Sequence, residues 1–117
     1  MNEAVLLHEL PYRAAANAPD AVALSHAGNA LDYATVASRI ESCAGALCAL
    51  GLRRGERVGI YLDKRPETVL AAFAAAAAGG AFVPINPILK AAQVGYILQD
   101  CNVRVLVTSP ERLALLR

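Results

Sequence analysis

The sequence predicts an α/β fold: a short N-terminal β-hairpin and helices leading into a mostly parallel sheet with covering helices. Three observations carry that prediction. From Arg57 onward, short apolar runs and helical segments alternate strictly, which calls for right-handed crossovers and parallel strands. Val103 to Val107 reads as a continuous apolar strand, the mark of a buried parallel position. Before Arg57, a single helix of clean three- and four-residue periodicity follows a hairpin signal. The alternation stops just as a further helix begins near Arg117, so the whole chain, residues 1–117, reads as one segment of a larger N-terminal domain.

The elements follow in order. An amphipathic helix is expected from Val5 to Asn17, with Pro11 near its start or at a break, and Ala18-Pro19-Asp20 ending it. Ala21 to Ser25 forms a strand, Ala27-Gly28-Asn29 has hairpin-turn chemistry, and Ala30-Leu31 returns. Asp32 is an N-cap for a helix whose buried stripe is Tyr33, Val36, Ala37, Ile40, Ala44 and Leu47. Gly51 closes it, with Leu52 folding back as the apolar contact of a glycine cap. After the charged turn Arg53-Arg54-Gly55-Glu56, Arg57 to Leu62 is a strand, and Gly59 marks close approach of a neighbouring backbone.

The stretch from Thr68 to Leu89 carries no charge and invites comparison with a membrane span. Its content argues otherwise. Alanine contributes little transfer energy, Gly79-Gly80 weakens a continuous helix, and Pro84 and Pro87 break it. The soluble reading is a helix from Pro66 to Ala78, opened by a first-turn proline and Glu67 and closed by glycine. Its alanines make it smooth enough to pack closely against a sheet. Ala81-Phe82-Val83 follows as a buried strand, and Pro84 to Pro87 leaves it. A helix from about Ala91 to Gln99, the strand Val103–Val107 and a helix opened by Ser109-Pro110-Glu111 complete the chain.

Composition narrows the function classes. A chain of 117 residues has room for one core, and its 56% hydrophobic and 5% aromatic content builds that core from small aliphatic side chains. A net charge of +1 gives no reason to expect nucleic acid as a partner. The segment MNEAVLLHEL lacks the basic start and long apolar run of a signal peptide, which favours a cytoplasmic location. Cys43, Cys48 and Cys101 have no metal-ligand spacing and read as buried reduced thiols. His8 and His26 stand alone, so no metal site is expected.

Catalytic chemistry is not evident, and no catalytic residue is assigned. Gly79-Gly80 precedes a strand, so it is a turn and no phosphate-cradling loop. The candidate binding residues are Lys64 and Arg65, which follow a parallel strand and precede a helix, where anions gather in open sheets. Lys90 joins them because a cation at a helix start gains nothing from the helix dipole and needs another reason. For each, a solvated surface position is the alternative.

The order of motifs says more. Leu7-His8-Glu9-Leu10 with Ala18-Pro19-Asp20-Ala21-Val22-Ala23-Leu24, then Leu31-Asp32-Tyr33, resembles the start of the AMP-forming adenylating enzymes, which include acyl-CoA ligases, peptide-synthetase adenylation domains and luciferases. Ala46-Leu47-Cys48-Ala49-Leu50-Gly51 and Arg54-Gly55-Glu56-Arg57-Val58 are similar to the next landmarks of that family. Pro66-Glu67, Gly80-Ala81-Phe82-Val83-Pro84, Asn86-Pro87, Tyr96-Ile97-Leu98-Gln99-Asp100 and Val105-Leu106-Val107-Thr108 continue the series. Asn86-Pro87, where amino-acid adenylation domains usually carry Asp-Pro, tilts the resemblance toward a ligase for fatty or other carboxylic acids. Asp32 replaces the usual Thr and keeps its capping role, while Asp63-Lys64-Arg65 replaces a less charged turn.

The resemblance implies an enzyme that uses ATP and Mg²⁺ to adenylate a carboxylic-acid substrate and then passes the acyl group to CoA. The family's phosphate loop, later nucleotide motifs and catalytic lysine have no counterpart in these residues. The segment alone is therefore expected to be inactive, to need no cofactor, and to self-associate through an unfinished core. Two other readings stay open: a non-catalytic α/β module that pairs with a separate chain, and an unrelated α/β or membrane-associated protein.

Overall fold

The computed structural model of the chain describes residues 6–117. Its elements run α1 (Glu9–Asn17), β1 (Val22–His26), β2 (Asn29–Asp32), α2 (Tyr33–Ala49), β3 (Arg57–Tyr61), α3 (Pro66–Ala77), β4 (Ala81–Pro84), α4 (Ala91–Asp100), β5 (Val103–Thr108) and α5 (Pro110–Leu115). The strands β1 and β2 form an antiparallel hairpin, and β4-β3-β5 form a parallel sheet in that spatial order. The expected α/β fold is the observed one.

Local rules account for most boundaries. The first helix is shorter than expected: residues 6–8 form a turn and helix begins at Glu9, while the Val5 end lies outside the described residues. Pro11 has no N–H to give, so it is tolerated only within the first turn, and that places the start just ahead of it. In the hairpin, Ala27 and Gly28 both take positive φ, 51° and 82°, as a tight primed turn requires. Asp32 caps α2 by accepting a 2.8 Å bond from the Thr35 N–H.

Two helices end in the same glycine motif. At α2, Gly51 at φ 96° donates to the Cys48 carbonyl and Leu52 to that of Leu47, and Leu52 is buried. At α3, Gly79 at φ 85° donates to Ala76 and Gly80 to Ala75. Gly80 then passes so close to the Glu56 carbonyl that a Cβ there would lie 2.8 Å from its oxygen. The glycine pair thus turns the chain and lets α3 run straight into the sheet.

The right-handed crossover rule fixes the layers. The chain moves from β3 to β4 in one direction and from β4 back past β3 to β5 in the other, so α3 and α4 fall on opposite faces. On one face Val58 packs with Val36, Ile40 and Leu47 of α2 and Leu70, Ala74 and Ala75 of α3. Ile60 and Leu62 meet Ala71 on that side. On the other face Tyr61, Ile85 and Val94 form a second cluster, joined by Leu106 and Leu116. The alanines of α3 let its backbone lie close to the sheet, the role their smoothness predicted. Among the described residues no helix is long and apolar enough to cross a membrane.

Several expectations need correction. The strand β4 is an edge and not buried: Ala81, Phe82 and Pro84 are exposed, because among the described residues β3 is its one hydrogen-bonded neighbour. Pro84, which cannot donate to a ladder, is the signal of an edge. The strand β5 is likewise an edge and only half-buried, and Arg104 interrupts its apolar run. The register steps from Arg57↔Val103 to Val58↔Val105, so Arg104 bulges out toward Glu56, 3.8 Å away. Gly59 makes room for the side chains of Val103, Leu106 and Ile85 and not for backbone. The cysteines are unpaired, but they are not all buried: Cys48 is exposed and Cys101 half-buried, while Cys43, also half-buried, packs against the core.

Candidate functional site

An apolar crevice lies where β3 and β4 end. Their exit loops diverge, one to α3 and the other to α4 on the opposite face, which opens a crevice at the carboxyl ends of the strands. The crevice holds about 590 Å³. Phe82 and Pro84 of β4 stand in register with Val58 and Ile60 of β3, so their side chains project to the α3 face. Val69, Ala72 and Phe73 of α3 form the facing wall, and Asn86 and Pro87 form the lip.

The loop from β3 to α3 is built by its own hydrogen bonds. Arg65 takes the N-cap position with extended backbone and no side-chain cap. The Thr68 N–H bonds the Arg65 carbonyl at 3.1 Å, and the Thr68 hydroxyl donates to the Asp63 carbonyl at 2.8 Å. The Arg65 guanidinium turns back and bonds the Asp63 carboxylate at 2.6 Å. That bond holds the Asp63 carboxyl below the usual carboxylate range, helped by its own backbone and by the charge of Arg112 nearby.

The three candidate residues therefore separate. Lys64 reaches the crevice, is exposed, and makes no ion pair among the described residues. Arg65 is committed to Asp63 and lines neighbouring, more polar clefts, one shared with Ser109, Glu111 and Arg112. Lys90 is exposed at the N-cap of α4, where its main-chain N–H bonds the Gln93 side chain at 3.0 Å. The fold brings Lys64 and Arg65 to one loop and leaves Lys90 at the start of another helix.

Two residues overlooked in the sequence organise the lip. Tyr61, fully buried, donates its hydroxyl to the Leu89 carbonyl at 2.9 Å. Arg112 lies over the Tyr61 ring, 5.5 Å from its centroid, and donates to the Pro87 carbonyl. These partners are 28 and 25 residues apart in sequence, so no local pattern could have revealed them.

The chemistry available is limited. The crevice walls are apolar, and Lys64, Asp63, Thr68 and Asn86 are its polar groups. Asp63 is occupied by Arg65, and the Asn86 side-chain oxygen accepts from the Ile88 N–H at 3.1 Å. No nucleophile and base meet there, and among the described residues no three His, Cys, Asp or Glu side chains converge as metal ligands. Gly79-Gly80 sits at the opposite end of β4, as a helix stop.

Comparison with known proteins places this arrangement. The pattern of the AMP-binding enzymes matches residues 12–116. A feruloyl-CoA synthase from Amycolatopsis is 37% identical over 101 residues, covering 86% of this chain and 21% of that protein. Gramicidin S synthase 2 from Brevibacillus brevis is 32% identical over 97 residues, 83% of this chain and 2% of that one. In solved structures, the anthranilate CoA ligase AuaEII in complex with anthranoyl-AMP superimposes with a TM-score of 0.90 at 29% identity, covering 98% of this chain and 22% of that one. The N-terminal domain of FACL13 from Mycobacterium tuberculosis gives 0.88 at 26% identity, with 95% of this chain and 30% of that one covered. The chain thus spans about a fifth of the length of the feruloyl-CoA synthase it matches. Element order, the parallel sheet and a family match across nearly all of its residues agree: the chain belongs to the AMP-binding enzymes.

Proposed function

We propose that the chain is the N-terminal part of an ATP-dependent acyl-CoA ligase and supplies scaffold without chemistry. The observation that carries this reading is the crevice: apolar walls, an open β4 edge and no converging catalytic groups. Such a surface suits packing against further protein better than it suits bond making. An acid–thiol ligase is favoured over amino-acid activation by Asn86-Pro87 and by the feruloyl-CoA synthase and anthranilate CoA ligase likenesses. Fatty and aromatic acids are both within that class, and a cytoplasmic location accompanies it.

In this reading ATP, Mg²⁺ and CoA engage parts of the enzyme outside these residues. The described residues offer no carboxylate cluster for Mg²⁺ and no glycine-rich strand-to-helix loop for phosphate. Lys64 and Lys90 are the two candidate cations without an ion-pair partner among the described residues, and so the two left for an anionic ligand. The open edge favours a second arrangement as well, in which a separate polypeptide completes the sheet.

ATP–pyrophosphate exchange tests the proposal. With a panel of fatty, aromatic and amino acids, the chain alone is expected to give no exchange. The same chain joined to its downstream reading frame should exchange with carboxylic acids and form thioesters only when CoA is added. Exchange by the chain alone would overturn the scaffold reading. Exchange by the extended protein with amino acids alone would overturn the acyl-CoA assignment.

A further inference from the structure

We propose that Tyr61 and Arg112 join the Asn86–Leu89 turn and the helix α5 into one cooperative unit, so that drawing α5 off the sheet also releases the lip of the crevice. Five contacts involve this pair. The Tyr61 hydroxyl satisfies the Leu89 carbonyl, and the Tyr61 carbonyl accepts the Thr108 hydroxyl at 2.7 Å, tying the end of β3 to the end of β5. Arg112 satisfies the Pro87 carbonyl while its guanidinium lies over the Tyr61 ring. The Arg112 N–H is fixed in turn by the Ser109 hydroxyl at 3.2 Å, which caps α5.

Geometry makes the coupling mutual. Arg112 and Leu116 stand four residues apart and share a face of α5. Leu116 packs into the cluster of Tyr61, Ile85 and Val94, beneath the same turn. Two carbonyls of the turn, those of Pro87 and Leu89, therefore have partners from outside it, one on α5 and one on β3. Arg112 cannot leave without stranding Pro87 and uncovering the Tyr61 ring. If the turn moves, Arg112 loses its acceptor, and α5 is left with the Tyr61 ring and the packing of Leu116. Planar guanidinium geometry is what allows stacking and donation together.

Amide hydrogen exchange on the chain tests this residue by residue. The Leu89 amide, bonded to the Asn86 carbonyl, reports the turn; the Leu113 amide, bonded to Ser109, reports α5; the Ile85 amide, bonded to Ile60, reports the sheet. Arg112→Ala is expected to speed exchange at Leu89 and Leu113 together by about tenfold, with Ile85 unchanged. Arg112→Lys, which keeps a donor but loses the planar fork, should recover part of that protection. Tyr61→Phe is decisive, since it keeps the ring and removes only the hydroxyl bonded to Leu89. It should speed Leu113 as well as Leu89, although the hydrogen bond that it removes is to Leu89 and not to α5. Acceleration confined to Leu89 in Tyr61→Phe, or equal acceleration at all three amides, would overturn the inference.

Discussion

At the residue scale, two positions carry consequences that their neighbours do not share. Ala27 holds φ 51° in the hairpin turn, a conformation that strains a Cβ, while Gly28 beside it takes φ 82° freely. Ala27→Asn would create an Asn-Gly turn, and the expected gain is about 0.5–1 kcal/mol in urea unfolding. A loss would show that the hairpin does not hold this turn. Asp32 is the second. The backbone and side-chain bonds from Thr35 hold its carboxyl below the usual carboxylate range, with desolvation a smaller opposing effect. A depressed folded pKa contributes stability above the unfolded value, and that stability is lost as pH falls through the folded one. Asp32→Ala should therefore lower the melting temperature at pH 7, and the gap should begin to shrink below about pH 4 and close as pH falls through the lower folded value. A gap of the same size at pH 3 would contradict the cap as the cause.

At the element scale, the joint from α3 to β4 separates two demands made of glycine. Gly79 needs the left-handed conformation, and a Cβ there meets nothing closer than 3.8 Å. Gly80 needs empty space, since its Cβ would fall 2.8 Å from the Glu56 carbonyl oxygen, which also accepts the Ala81 N–H at 2.9 Å. Gly79→Ala should lose about 1 kcal/mol through backbone strain. Gly80→Ala should lose about 1–3 kcal/mol by pushing α3 off the sheet. Comparison of the two by chemical unfolding checks the order, and a larger loss at Gly79 would reverse it. The helix caps were legible in the sequence because a cap and its helix sit within a few residues of each other. Burial of β4 and β5 was not, since the same apolar letters serve a central strand and an edge. Pro84 and Arg104 held the missing information, outweighed by their apolar neighbours.

At the scale of the whole molecule, the parallel sheet has an exposed β4 edge with Phe82 and the crevice beside it. Unpaired strand edges with apolar side chains favour association between chains. We expect the chain to self-associate as concentration rises, and Phe82→Lys to shift it toward monomer in sedimentation velocity. A wild-type chain that stays monomeric throughout would remove β4 as a sticky edge. The same surface carries the scaffold proposal, since an apolar crevice beside an open sheet edge is a place to pack protein.

The sequence by itself determined the element order, the capped helices, the hairpin and, through the succession of short motifs, the family. Those features are local or ordered along the chain, so they survive reading in one dimension. Tertiary structure alone decided which strand is central, that Lys64 faces the crevice while Arg65 turns to Asp63, and that Tyr61 and Arg112 meet over the Asn86–Leu89 turn. Each of those depends on right-handed crossovers bringing distant segments side by side. Side chains more than two dozen residues apart leave no mark in any local pattern.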